Sequence, residues 1–290
     1  MYPALVILFN FIGVALLYTF SSLSFTEFYL YIYLKNIMEI PKKLYHYTSI
    51  NTLALILKSQ AINLGRLDVV NDKREGSSSD FGSFAQYIFI SCWTETSEEN
   101  LALWNMYTHK MRGVRIELPL PIFSIHKINE KNNSIVPQEE TVNNEKAIFV
   151  VPHTDMLYKM TYTDDDSALN PEIIVNTGEF SGYSLNKIAV CKKSMWSIEN
   201  EWRFRLNIFP FDKTGPTNKS VMNFADYVEA KIPPSISSYL VKIDNPSFSQ
   251  MKIRLGPRLE KGDYEIVEAL VNTFNPNAII EISSLVNEIR

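Results

Sequence analysis

The chain has 290 residues, 46% hydrophobic and 21% charged, an ordinary globular composition that excludes disordered, low-complexity and collagen-like readings. Its 28 Lys and Arg against 32 Asp and Glu give a formal net charge of −4, without the basic excess of a protein that coats nucleic acid. Two distant cysteines, Cys92 and Cys191, and four scattered histidines offer neither a disulfide framework nor ligand spacing, which disfavours a metal enzyme.

From Tyr2 to Leu34 the only charge is Glu27, and residues 5–20 are almost wholly apolar, close to the roughly 20 residues of a membrane helix. One expectation is therefore an N-terminal hydrophobic helix anchored in the inner membrane, with Lys35, Lys42 and Lys43 holding the remainder in the cytoplasm. The other is a mis-set start: Met38-Glu39-Ile40-Pro41-Lys42-Lys43 reads as the beginning of a soluble cytoplasmic protein, and residues 1–37 as translated upstream sequence. In both cases residues 38–290 form the functional domain.

Lys43–Tyr47 reads as an aromatic-rich strand, and Ser49 as the N-cap of a helix over Ile50–Lys58, whose Leu53, Ile56 and Leu57 recur at helical spacing. Ala61–Leu64 is a second short strand, and Arg66–Ser79 a polar loop with Asn71-Asp72 and Gly76 as turn formers. Gln86–Cys92 is a buried strand, after which Thr96 and Glu99 form a capping box for a helix with Leu101, Leu103, Trp104 and Tyr107, ended by Gly113. Val114–Leu118 is a strand, and the Asn- and Glu-rich stretch 129–145 a variable, mobile insertion. Ala147–Val151 and Tyr158–Tyr162 are strands, Ile173–Val190 holds a helix interrupted by Gly178 and Gly182, and Trp202–Phe209 alternates like a strand. The chain closes with strands Tyr239–Ile243 and Lys252–Leu255, a helix near Tyr264–Phe274 and a strand at Ala278–Ile282. Many short strands, few helices and no regular βαβ alternation predict an α+β fold, a mixed or antiparallel β core with flanking helices.

No phosphate-cradling glycine motif, G-x-S-x-G or H-E-x-x-H is present, and Asp164-Asp165-Asp166 reads as a solvated turn. The candidate chemistry sits at strand ends. In Leu44-Tyr45-His46-Tyr47-Thr48-Ser49 a strand histidine precedes a helix start whose free N–H groups favour a polar or anionic ligand; the plain alternative is a satisfied histidine beside a capping serine. Phe89-Ile90-Ser91-Cys92-Trp93-Thr94, with Trp104 and Tyr107, is suited to stacking a flat heteroaromatic ring, or equally to an aromatic core. Glu199 and Glu201 are two apart, so on an extended segment they share a face with Arg203, while Trp202 and Phe204 take the other. A carboxylate kept ionised by arginine suits a reaction that develops a sugar cation; an ordinary Glu–Arg pair on an edge strand is the alternative.

The ordered set L-Y-H-Y-T-S, N-D-x-x-E (Asn71, Asp72, Glu75), I-S-C-W-T, W-N-M-Y, W-x-x-E-x-E-W-R and I-R-L-G-P, from about Leu44 to Pro257, resembles a widespread bacterial domain family of unknown function. Its opening motif also resembles the first strand of the ADP-ribosyltransferase superfamily, in which a strand histidine, often in H-x-T, holds the adenosine ribose of NAD. The resemblance implies an ADP-ribosyltransferase-like split sheet, with NAD as substrate and no metal. His46 would hold the ribose, with Tyr47, Thr48 and Ser49 beside it, and Ser91, Trp93 and Tyr107 would line the nicotinamide side. Ser91-Cys92 replaces the superfamily's usual tyrosine, which shifts stacking to Trp93 or Tyr107. Glu201 and Glu199 would be catalytic, the first at the ribose and the second at the acceptor, and Arg66 or Arg203 would meet the pyrophosphate. The implied activity is cleavage of the nicotinamide–ribose bond and transfer of ADP-ribose to a protein or nucleic-acid acceptor, as in a toxin or antiphage effector countered by an antitoxin. The alternative is a non-catalytic nucleotide-binding or protein-interaction module of the same fold. A nucleophilic role for Cys92 is disfavoured, since no histidine is near it in sequence.

Overall fold

A computed structural model describes residues 40–129, 133–143, 147–150, 156–176, 181–210 and 228–289. The hydrophobic segment 1–37 lies outside them; among the described residues no helix is long and apolar enough to cross a membrane. Ten described strands form the main sheet: β1 (Lys43–Thr48), β2 (Ala61–Arg66), β3 (Ile88–Thr94), β4 (Val114–Pro119), β5 (Ala147–Val150), β6 (Leu157–Lys159), β7 (Glu201–Pro210), β8 (Ser238–Lys242), β9 (Lys252–Leu255) and β10 (Ile279–Ile282). The longer helices are α1 (Ile50–Ser59), α2 (Leu101–Tyr107) and α3 (Lys261–Phe274).

The fold is α+β with a mixed sheet. Its order is β6-β7-β3-β1-β4-β9-β10, with β2 joined to β3 and β8, and β5 to β7. All these pairings are antiparallel except β9 with β10, which α3 connects as a single βαβ crossover. Ser49 turns the chain from β1 directly into α1, its Oγ accepting the Thr52 N–H at 3.0 Å, and Leu53, Ile56 and Leu57 bury one face of that helix.

Strand β3 decides where a cleft can open. One of its edges is taken along its length by β7, from Ile88 opposite Asn207 to Thr94 opposite Glu201. The other edge is shared: β1 reaches only Thr94, opposite Tyr45, and β2 only Phe89 and Ile90, opposite Arg66 and Gly65. Between them, at Ser91, Cys92 and Trp93, the sheet is split. Both faces of β7 are buried at all ten positions, because one face joins the large core of Phe89, Trp93, Trp202, Phe204 and Leu206 and the other meets a smaller core around Ile88, Ile90 and Phe209.

Several local expectations are corrected. α2 starts later than Thr96 and Glu99 suggest: Asn100 caps it, its Oδ1 accepting from Ala102 N (2.9 Å) and Leu103 N (3.3 Å), while Glu99 instead takes Ser283 Oγ and Ser284 N. The described part of 173–190 is not helical; Ile174–Asn176 pairs with Ser181–Tyr183 and a 3₁₀ turn follows at Leu185–Lys187, as suits β-branched residues beside glycine. The stretch 129–145 holds a strand at Asn133–Ser134 and a helix at Gln138–Asn143. The polar loop after β2 begins with a 3₁₀ turn at Leu67–Val69 and buries Glu75.

Candidate active site

The split at β3 opens into a cavity of about 320 Å³ whose lining includes His46, Cys92, Tyr107, Lys192, Glu199 and Glu201. Strand alternation sorts β3. Cys92 and Thr94 lie opposite Arg203 and Glu201 on the face that carries the charges, whereas Trp93 lies opposite Trp202 in the large core. Ser91 and Trp93 border the cavity, but Trp93 is 3% exposed and its indole N–H donates to Ser91 Oγ at 3.0 Å. The two side chains thus pair with each other at the border of the cavity.

Glu199 and Glu201 meet by a route other than the extended spacing. Glu199 ends a 3₁₀ turn (Ser194–Glu199), Asn200 adopts the left-handed conformation at φ 42°, and Glu201 opens β7. Both carboxylates then converge on Lys192, which sequence reasoning missed: its Nζ lies 2.6 Å from Glu199 Oε2, 3.1 Å from Glu201 Oε2 and 3.2 Å from Glu75 Oε1. Arg203 closes the cluster with Nε 2.8 Å from Glu201 Oε1 and Nη1 2.6 Å from Glu75 Oε2. All five side chains are buried. Burial would raise the Glu201 carboxyl, but Arg203 and Lys192 outweigh it and hold it at about 2, so it is ionised. The Lys192 ammonium is held well above the usual lysine range: burial opposes its charge, but Glu201, Glu75 and Glu199 overcome that effect.

Two phenols frame the acids. Tyr107 donates its O–H to Glu199 Oε1 at 2.5 Å, and Tyr162 accepts the Glu201 N–H at 2.7 Å. Burial raises both above the usual tyrosine range, so they stay protonated. Cys92 is reached by solvent on the cleft floor, yet the surrounding protein, and then Glu201, push its thiol well above its ordinary value. That environment withholds the thiolate a nucleophile needs.

His46 Nδ1 lies 2.8 Å from the Cys92 carbonyl. A carbonyl only accepts, so Nδ1 carries the proton and Nε2 presents a lone pair. Burial lowers the ring's pKa, so it is neutral at pH 7. The neighbouring residues are placed differently. Tyr47 borders the cavity but packs edge-on against Trp104, and its hydroxyl accepts the Asn100 N–H. Thr48 and Ser49 are outside the lining: Thr48 is buried opposite Val114, and Ser49 caps α1. Arg66 lines the cavity with its guanidinium held by Asp68 at 2.9 and 2.5 Å, and Arg203 is fully buried. Both guanidinium groups are thus paired with carboxylates, Arg66 with Asp68 and Arg203 with Glu201 and Glu75.

Beside Lys192, sequence reasoning gave Glu75 a place in a motif but no role, and overlooked Tyr162. Nothing around Lys192 in Cys191-Lys192-Lys193 marks it; only the fold brings it to the acids. Among the described residues no group of His, Cys, Asp and Glu is arranged to hold a metal ion. Comparison of the chain with protein-family models, with curated proteins and with solved structures finds no match.

Proposed function

We propose that this chain cleaves the nicotinamide–ribose bond of NAD and transfers the ADP-ribosyl group to an acceptor. The observation that carries the reading is an ionised, buried Glu201 in one cavity with a neutral His46 that offers a free acceptor nitrogen. The sequence resemblance points the same way.

The nicotinamide ring already carries positive charge, so its departure needs little acid help, and the barrier lies in the oxocarbenium character that develops at the ribose. Glu201 supplies fixed negative charge there. Its two oxygens accept from Lys192, from Arg203 and from the Cys92 thiol, and a remaining lone pair is available to a ribose hydroxyl. Glu199, held by Lys192 and Tyr107, orients or deprotonates the acceptor. Nε2 of His46 accepts from a hydroxyl of the dinucleotide.

The test follows nicotinamide release and ADP-ribose incorporation in a bacterial lysate. Glu201→Gln, which keeps the shape and removes the charge, is expected to lose about a hundredfold or more in kcat. His46→Ala is expected to raise KM by about tenfold, the effect of one hydrogen bond. No release by the unaltered protein, together with no NAD binding, would overturn the reading.

A further inference from the structure

The charges lining the cavity are unevenly answered. Among the described residues the lining holds four carboxyl side chains, Asp72, Glu75, Glu199 and Glu201, against three cations, Arg66, Lys192 and Arg203. Every cation is already engaged. Arg66 grips Asp68 through two nitrogens, and Lys192 directs its ammonium at three glutamates. Arg203 is buried against Glu201 and Glu75, and its one unpartnered nitrogen, Nη2, is sealed from solvent. Asp72 differs: it is half-buried, accepts only the Arg74 backbone N–H at 3.0 Å, and has no ion-pair partner among the described residues. Tyr107, 41% exposed, and the half-buried His46 add flat aromatic surface.

Such a lining attracts a cation, and each of its own positive groups is already paired with a carboxylate. Resting on the NAD-cleaving reading, we infer that the cavity recognises the cationic N-ribosyl pyridinium half of its substrate, so that nicotinamide riboside, which has no phosphate, is also bound and cleaved. The adenosine half then adds contacts such as the one at His46, while its phosphates lie toward solvent. In the reaction the bond from ribose C1′ to the pyridinium nitrogen breaks and its electron pair leaves with nicotinamide, which becomes neutral. A hydroxyl oxygen of water or of an acceptor bonds to C1′ and gives its proton to Glu199 or to solvent. The neutral product loses the attraction that held the cation.

The experiment uses the full chain and measures nicotinamide release from NAD and from nicotinamide riboside, with calorimetric binding of the riboside and of its uncharged dihydro form. The riboside is expected to react with a kcat/KM within about a hundredfold of NAD, and to bind at least about tenfold tighter than the dihydro form. Asp72→Asn keeps the cap on Arg74 and is expected to weaken riboside binding by about fivefold. A riboside more than about a hundredfold poorer than NAD, or a dihydro form bound equally well, would overturn the inference. Binding of the riboside cation without release from either compound would retire the cleavage reading and leave the ligand assignment intact. Absence of riboside binding would retire the assignment itself.

Discussion

Lys192 meets three carboxylates, more than either other cation in the lining, Arg66 or Arg203. Three carboxylates this close repel one another, and Lys192 with Arg203 offsets that repulsion where water cannot. Removing the ammonium while keeping the stem, Lys192→Met, leaves three buried acids with one cation and is expected to cost about 3–5 kcal/mol at pH 7. Lys192→Arg keeps the charge in a different shape and recovers part of that loss. Urea midpoints for the three proteins provide the check: a Met variant as stable as the parent would show that the acids do not depend on Lys192. Sequence reasoning reached Glu199, Glu201 and Arg203 because they are neighbours in the chain. It passed over Lys192, because a lone lysine between a cysteine and another lysine resembles any surface lysine until the fold buries it.

The elements around the cavity are locked by two close backbone approaches. Gly256 N–H donates to Gly113 O at 2.9 Å, where the turn after β9 meets the start of β4. A Cβ on Gly256 would lie 2.3 Å from Met111 O, and one on Gly113 2.2 Å from Thr48 O, at the end of the His46 strand. Backbone atoms there have little room to shift, so Gly256→Ala and Gly113→Ala are each expected to lose about 1–3 kcal/mol. Gly262→Ala, with nothing within 4 Å and in the first turn of α3, serves as the control and is expected to be neutral or slightly stabilising. Thermal melting of the three variants decides the matter; equal melting temperatures would refute the close-packing account. The terminal I-R-L-G-P motif thus has a structural reason that its sequence did not disclose, since a glycine after a strand is read first as a turn former.

For the whole molecule, the buried cluster ties stability to pH. Glu201 has a folded pKa of about 2, below its ordinary value of 4.5, so the stability it contributes is present above about pH 4.5 and is lost as pH falls toward 2. Glu201→Gln is expected to be less stable than the parent at pH 7 and to show a shallower decline between pH 4.5 and 2. Denaturant midpoints measured across that range check it; parallel decline of the two proteins would mean that Glu201 is not the linked group.

The strand and helix periods of β1, α1, β7 and α3 were readable in the sequence because they arise from local alternation and capping, and so was the α+β class. The split at β3, the face on which Cys92 rather than Trp93 joins the charged cluster, and the convergence of Glu75, Lys192 and Glu201 were decided only in three dimensions. The physical reason is range: hydrophobic period and caps act over a few residues, whereas strand register and charge pairing depend on the folded path of the chain and reach positions as far apart as Glu75 and Lys192.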